Sequence, residues 1–318
     1  MRIVFMGTPE FAVPSLAALL RSDHTVVGVV TQPDRPKGRG HELAASPIKQ
    51  LAVQRKIPIL QPLKMKDQAF LDALSAWKPD LIAVTAFGRI LPRIILDLPP
   101  HGCINVHASL LPKYRGAGPI QWALIRGERE TGITTMLMDE GMDTGAILLQ
   151  EKIPIAPDDA AGTLSSKLAD IGGRLLLDTL MRLQGGTLTP QPQDSSQATM
   201  APLLKKEDGL LDWTLSAVEL ANRVRGLSPW PGAYTYLGED RWVILKAEVI
   251  DRSAVVVPPG TIVDATKEGV AVATGGGLLR IMEFPPANSR RMSAAQYLAG
   301  HTLTPGLRLG PPPPITAA

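Results

Sequence analysis

The chain has 318 residues, of which 45% are hydrophobic and 20% charged, the composition of an ordinary soluble globular protein with room for two domains. A single cysteine, Cys103, excludes an internal disulfide and a multi-cysteine metal site, and aromatics at 4% argue against a stacking platform for single-stranded nucleic acid. No basic leader precedes an apolar run and no stretch is apolar enough to span a bilayer, so a soluble, cytoplasmic protein is expected.

The stretch Arg2 to Met6 is apolar after its first residue and runs into Gly7, which predicts a buried first strand. Gly7-Thr8-Pro9 turns the chain into a helix over Glu10 to Arg21; the turn is not Gly-x-Gly-x-x-Gly, so a dinucleotide fingerprint is missing. A β-branched strand is expected over Thr25 to Thr31. The formal net charge is only +3, yet between Thr31 and Lys64 seven basic residues (Arg35, Lys37, Arg39, Lys49, Arg55, Lys56, Lys64) face two acids (Asp34, Glu42). The part from Asp34 to Pro47 reads as a flexible Pro- and Gly-rich loop, suited equally to phosphate contact and to plain solvation. Ser46-Pro47 is a good N-cap and first residue for a helix to Arg55. Ile57 to Leu60 suits an edge strand because of Pro58, and a helix fits Asp67 to Trp77. Leu81 to Thr85 is the next buried strand. The turn Ala86 to Pro92 follows its carboxyl end, the side of an open parallel sheet where ligands bind.

Gly102 to His107 predicts a further strand, on which Asn105 and His107 share one face while Val106 points to the other. Spacing by itself favours a plain reading, a capped strand end with a satisfied histidine. Ser109 to Pro119 is a loop, and Pro119 opens a helix to Arg126. Thr131 to Met138 and Ala146 to Pro154 predict a hairpin around Asp139-Glu140-Gly141-Met142-Asp143-Thr144-Gly145, in which Asp143 is free to fold back towards His107. Thr163 to Leu183 carries leucines and Ile171 at helical spacing and should close the domain. Strands alternating with helices predict a doubly wound, mostly parallel α/β sheet over residues 1–189. The stretch Gly185 to Lys206 is dominated by Gly, Thr, Pro, Gln and Ser without an apolar period, so 190–206 reads as a linker. From 207 to 310 one helix (Ser216 to Arg225) and several short strands suggest a small OB-like β-barrel, and the proline-rich 311–318 should be a disordered tail. From Gly185 onward twelve basic residues balance twelve acids, so nucleic-acid binding there would need Arg223, Arg225, Arg290 and Arg291 on one face.

An amide donor, an imidazole and a carboxylate in one pocket suit acyl transfer to an amine. The donor would meet the oxygen that becomes negative, the imidazole would manage charge or a proton, and the carboxylate would orient them. The run Ser109-Leu110-Leu111-Pro112-Lys113-Tyr114-Arg115-Gly116, with Asn105-x-His107 before it and Asp143 after it, resembles the 10-formyltetrahydrofolate-dependent formyltransferases. Phe5-Met6-Gly7-Thr8-Pro9-Glu10-Phe11-Ala12, Thr31 to Gly40 and Arg225-Gly226-Leu227-Ser228-Pro229-Trp230-Pro231-Gly232-Ala233 extend the resemblance. It implies Asn105, His107 and Asp143 as catalytic residues and 10-formyltetrahydrofolate as donor. The folate would lie against Phe87, Gly88, Arg89, Ile90, Leu91, Ser109, Leu110, Leu111, Pro112 and Asp139. Phe87 stands where the family commonly has Tyr, so packing and pterin contact both remain open for it. The implied acceptor is the α-amine of methionyl initiator tRNA, met by Arg35, Lys37, Arg39 and Lys49, Arg39 above all, with the second domain helping to hold the tRNA. No metal is implied, and a monomer is expected. Three rivals stand beside this reading: formylation of a small amine such as a sugar-nucleotide, a Ser109-His107-Asp143 hydrolase, and a non-catalytic RNA-binding module.

Overall fold

The computed structural model describes residues 1–37, 42–251, 253, 256–284 and 292–312. Its contacts divide it into two units, one of residues 1–119, 130–155 and 164–202, the other of residues 120–129, 156–163 and 203 onward.

The first unit is built on a seven-stranded sheet. Its strands are β1 (Arg2–Gly7), β2 (Thr25–Val30), the separate short pair β3 (Arg35–Lys37) and β4 (Glu42–Ala44), β5 (Ile59–Leu60), β6 (Leu81–Thr85), β7 (Cys103–His107), β8 (Glu130–Leu137) and β9 (Ile147–Pro154). The order in the large sheet is β5-β2-β1-β6-β7-β8-β9. The first five run parallel, and β8 and β9 are antiparallel to their neighbours. Burial on both faces explains why β1 and β6 read as unbroken apolar runs. The chain winds outward from β1 to β5 and returns through β6, so the switch point lies between β1 and β6.

Helices α1 (Val13–Leu20), α2 (Pro47–Gln54), α3 (Gln68–Ala76) and α4 (Arg93–Leu96) alternate with these strands, then α5 (Pro119–Ile125) and the long α6 (Ala161–Gln184) follow. Phe70, Leu71 and Leu74 of α3 pack with Val4, Met6, Ile82, Val84 and Cys103 on one face of the sheet. On the other face α6 comes so close to the side chains of Val106 and Ile133 and to α1 that the contact falls at Gly172 and Gly173. Ser46 caps α2 by accepting from Lys49 N, and β5 is the edge strand that Pro58 predicts. The segment 34–47, expected as a loop, instead contains the β3–β4 hairpin, whose tip at 38–41 lies outside the described residues.

Burial pushes the thiol of Cys103 up to about 12, with the Asp97 carboxylate acting in the same direction. Cys103 is therefore expected to resist an aromatic disulfide reagent at pH 8 in the native protein and to react fully once the chain is unfolded. Rapid labelling of the native protein would contradict this.

The second unit contains α7 (Ala217–Gly226), strands β10 (Ala233–Leu237), β11 (Asp240–Ile244), β12 (Lys246–Asp251), β13 (Ile262–Thr266), β14 (Gly269–Ala273) and β15 (Leu278–Glu283), then α8 (Ala294–Leu298) and β16 (Leu309–Gly310). Among the described residues these form antiparallel sheets ordered β11-β10-β16 and β12-β15-β14-β13, and backbone hydrogen bonds from Ile262 N to Leu307 O and from Leu309 N to Gly260 O, both 2.8 Å, join the β13 edge to the β16 edge, in keeping with the OB-like expectation. Trp242 stacks on Phe284 at 4.4 Å between centroids, with Tyr297 against both, and this aromatic cluster anchors the core. A capping box of Ser216 and Glu219 starts α7.

The contacts divide the chain differently from its composition. Residues 120–129 and 156–163 pack with the second unit, and 190–202 belong to the first. Ile147 and Gln191 exchange backbone hydrogen bonds at 2.8 Å, and Arg115 pairs likewise with Thr199 and Ala201. A polar, proline-rich composition marked a segment whose own regular structure is one short 3-10 turn, Ser195–Gln197, and backbone groups paired to β9 and to the 114–118 turn dock it. Of the expected tail, residues 313–318 lie outside the described residues.

Candidate active site

Strand β7 lies next to β6, one strand beyond the switch point, and its alternation places Asn105 and His107 on the face shared with Cys103. His107 pairs across β8 with Thr134, and Thr134 pairs with Gln150 of β9. These two neighbours hold the turn that follows. The Thr134 hydroxyl donates to Ser109 O at 2.6 Å and accepts from Leu111 N at 3.1 Å. Gln150 Nε2 donates to Leu111 O and to the same hydroxyl, both at 2.9 Å. The turn contains a cis Leu111–Pro112 bond, and the chain then passes through Tyr114 at φ 62° and Gly116 at φ 117°.

Asp143 is brought to this strand end by the 139–145 loop. Asp139 Oδ1 accepts from Gly141 N at 3.0 Å and from the Thr144 hydroxyl at 2.7 Å, so the loop is closed on itself. Asp143 takes a left-handed backbone, φ 54°, which costs a non-glycine residue free energy unless its surroundings hold it. Its Oδ2 accepts from Gly116 N at 2.8 Å. Gly116 is required twice: a Cβ there would lie 2.7 Å from Ala201 O, and its φ is one that side chains disfavour. Asp143 Oδ1 faces Asn105 Nδ2 at 3.5 Å and His107 Nδ1 at 3.7 Å.

His107 is 6% exposed and Asp143 17%. Its Nε2 lies 2.9 Å from Tyr114 O, and because a carbonyl only accepts, Nε2 carries the proton. That leaves Nδ1 facing Asp143. The loop is held from outside by Gln193, whose Nε2 donates to Asp143 O at 2.8 Å and to Gly145 O at 2.7 Å. Arg115 in turn donates to Gln193 Oε1 from Nε at 3.1 Å and from Nη2 at 2.8 Å.

Residues 1–180 match the Formyl transferase domain family and residues 203–302 the Formyl transferase, C-terminal domain family. The chain is 49% identical to the methionyl-tRNA formyltransferase of Geobacter sulfurreducens over 98% of its own length and 97% of the relative's. It is 51% identical to that of Desulfotalea psychrophila, over 94% and 93%. The chain belongs to the methionyl-tRNA formyltransferase family. The fold is shared more widely: WlaRD, a sugar 3N-formyl transferase solved in the presence of dTDP and 5-N-formyl-THF, superposes with a TM-score of 0.67 at 16% identity over 91% of this chain and 99% of its own. The family uses a folate-derived formyl donor.

The residues singled out for the donor fall into two groups in this formyltransferase. Phe87 and Leu91 are buried in the core with Val4, Met6 and Val30. Ser109 and Leu111 are also buried, and the Ser109 hydroxyl donates to Lys113 O at 2.6 Å. A hydroxyl committed to Lys113, beside an imidazole committed to Tyr114, does not assemble a serine hydrolase relay. Exposed Ile90 joins Leu91, Met65 and Ile94 around a hollow of 540 Å³. Asp139 lines a larger one of 720 Å³ with Met138, Leu96 and Ile104. Arg93 and Glu140, 3.8 Å apart, stand at the rim of both. Arg89 reaches across to Leu63 O at 2.7 Å, and Gly88 O accepts from Gln32. Among the described residues no group of three or more His, Cys, Asp or Glu could hold a metal ion, and no helix is long and apolar enough to cross a membrane.

The basic residues also separate. Lys49 pairs with Asp34 at 2.5 Å, and Gln61 donates to the other Asp34 oxygen; these bonds, Lys49 first, hold the Asp34 carboxyl below the usual carboxylate range. Arg35 donates to Gln32 Oε1 at 2.6 Å, and Gln32 Nε2 donates to Phe87 O at 2.9 Å, so the base of the β3–β4 hairpin is tied to the turn after β6. Lys37 closes β3, and Arg39 lies outside the described residues. In the second unit Arg223 donates to Asp208 O and Arg225 to Asn222, while Arg290 and Arg291 lie outside the described residues. Sequence reasoning missed Thr134, Gln150 and Gln193, since polar residues in strands and in an apparent linker carry no periodic or motif signal.

Proposed function

We infer that this chain transfers the formyl group of 10-formyltetrahydrofolate to the α-amine of methionine on initiator tRNA. The convergence of Asn105 Nδ2 and His107 Nδ1 on Asp143 Oδ1 carries the reading, in a chain about half identical to methionyl-tRNA formyltransferases over nearly its whole length. When bound, the donor supplies the formyl carbon: its bond to N10 breaks as the bond to the amine nitrogen forms, and one proton leaves the amine while N10 gains one. Asn105 presents an N–H to the formyl oxygen as that oxygen gains negative charge. His107, with Nε2–H held by Tyr114, turns Nδ1 to the same place; as imidazolium it donates there, and as neutral imidazole it accepts a proton. Asp143 orients both side chains and takes up the amine proton, directly or through water.

The exposed Ile90, Asp139 and the backbone of Gly88 and of the Ser109 to Pro112 turn hold the folate. Arg89, Leu91 and Phe87 support that surface from below. On the acceptor side, Arg35, Lys37 and Arg39 contact tRNA phosphates, whereas Lys49 secures the hairpin base through Asp34. We take the chain to work as a monomer in the cytoplasm.

The experiment offers 10-formyltetrahydrofolate with methionyl initiator tRNA, with a sugar-nucleotide amine, or with free methionine, and follows formyl transfer. Transfer to the charged tRNA alone is expected, and Asn105→Ala should slow it by about 10²-fold through loss of one oxyanion donor. Transfer only to a small amine would keep the chemistry and remove the tRNA assignment. No transfer to any acceptor would sink the enzyme reading.

A further inference from the structure

We propose that Gln193 is a positioning residue for the reaction: its side-chain amide, held by Arg115, sets the backbone of the 143–145 loop so that Asp143 meets Asn105 and His107. The proposal rests on the formyl-transfer reading above and adds to it a residue outside the strand and loops that carry the chemistry. Four hydrogen bonds engage this one side chain. Both Nε2 protons go to carbonyls, of Asp143 and Gly145, and Oε1 receives Arg115 twice. The orientation of the amide follows from chemistry alone. A guanidinium only donates and a carbonyl only accepts, so the reversed amide would make none of the four bonds.

The loop needs an external restraint. Asp143 stands at φ 54°, a conformation that persists in a non-glycine residue only where neighbours over-determine it. The dipeptide Arg115-Gly116 grips it in two ways. Gly116 N–H binds the carboxylate itself, and Arg115, 7% exposed, reaches the main chain through Gln193. Catalytic and positioning groups are therefore fastened to one turn. Gln193 is not what docks its own segment. Backbone pairs between Gln191 and Ile147 and between Thr199, Ala201 and Arg115 do so without its side chain. Losing the amide should thus release the loop while the segment stays in place.

Gln193→Ala removes the side chain. Gln193→Glu keeps the contact with Arg115 and replaces the two N–H donors with an oxygen that repels the Asp143 and Gly145 carbonyls. For both, kcat for formyl transfer is expected to fall by about 30-fold or more, with KM for donor and acceptor within about 3-fold, because an Asp143 displaced by a fraction of an ångström affects the reacting geometry rather than binding. In an Asp143→Ala background, read by single turnover with enzyme in excess, adding Gln193→Ala should change the rate by less than about 2-fold, since a residue acting through Asp143 has nothing left to act on. An equal loss in that background, or raised KM with unchanged kcat, overturns the proposal. If Gln193→Ala does not fold, Gln193→Glu decides alone by its kcat and KM. A wild-type protein with no formyl transfer defeats the functional reading itself, which the wild-type control separates from the failure of Gln193.

Discussion

Replacing His107 by alanine is expected to lower kcat for formyl transfer by about 10³-fold with little change in KM, the combined loss of a proton-managing group and of a partner for the developing oxyanion. The argument begins with the tautomer. Nε2–H is committed to Tyr114 O at 2.9 Å, which locks the ring plane and leaves Nδ1 as the atom towards Asp143 and the reacting group. Removing the ring takes away that atom and the group that Asp143 orients. The side chain is 6% exposed, so its removal also costs about 1–3 kcal/mol of stability through lost packing and a lost hydrogen bond. Single-turnover formylation at saturating substrates, beside thermal unfolding, measures the two effects apart. A folded variant that keeps kcat within about 10-fold of wild type would remove His107 from the chemistry, because proton management alone is worth more than that.

The second large effect is expected at Gly145, a residue given no part in binding or proton transfer. A Cβ on Gly145 would lie 1.8 Å from Leu137 O and 3.0 Å from Leu137 C, and both atoms are backbone at the end of β8. Neither can move aside like the end of a flexible side chain. In Gly145→Ala the loop must therefore shift, and with it Asp143 two residues earlier and the carbonyl that Gln193 holds. We expect kcat to fall by about 10²-fold from misplacement of the carboxylate and stability to drop by about 1–3 kcal/mol from the forced contact. Steady-state kinetics with a melting curve tests this. Wild-type kcat in a variant whose melting temperature is also unchanged would mean that the 139–145 loop does not set the geometry of Asp143.

Most of the fold, and the three residues proposed for the chemistry, left local marks in the chain. The buried runs of β1 and β6, the cap Ser46-Pro47, the edge signal at Pro58 and the helical leucines of α6 correspond to observed elements. Two-residue spacing put Asn105 and His107 on one face, as strand pleating requires. Other features had no such mark. The β3–β4 hairpin lies in a segment whose prolines and glycines read as loop, and its base is held by Gln32, Asp34, Gln61 and Lys49, distant partners that no period reveals. Lys49 looked like a free cation because charge can be counted locally whereas an ion pair cannot.

Local chemistry, written along the chain, thus determined the elements, the sheet class and the kind of reaction. Only the tertiary structure decided which atoms meet. It gave Nε2 of His107 to Tyr114 and turned Nδ1 to Asp143, buried Phe87 in the core, tied the Ser109 hydroxyl to Lys113 O, and drew an apparent linker into the first unit to place Gln193 against the Asp143 loop. The physical reason is that hydrogen bonds and close approaches between residues tens of positions apart depend on how the sheet orders its strands, and sequence periodicity reports only the face on which a residue stands.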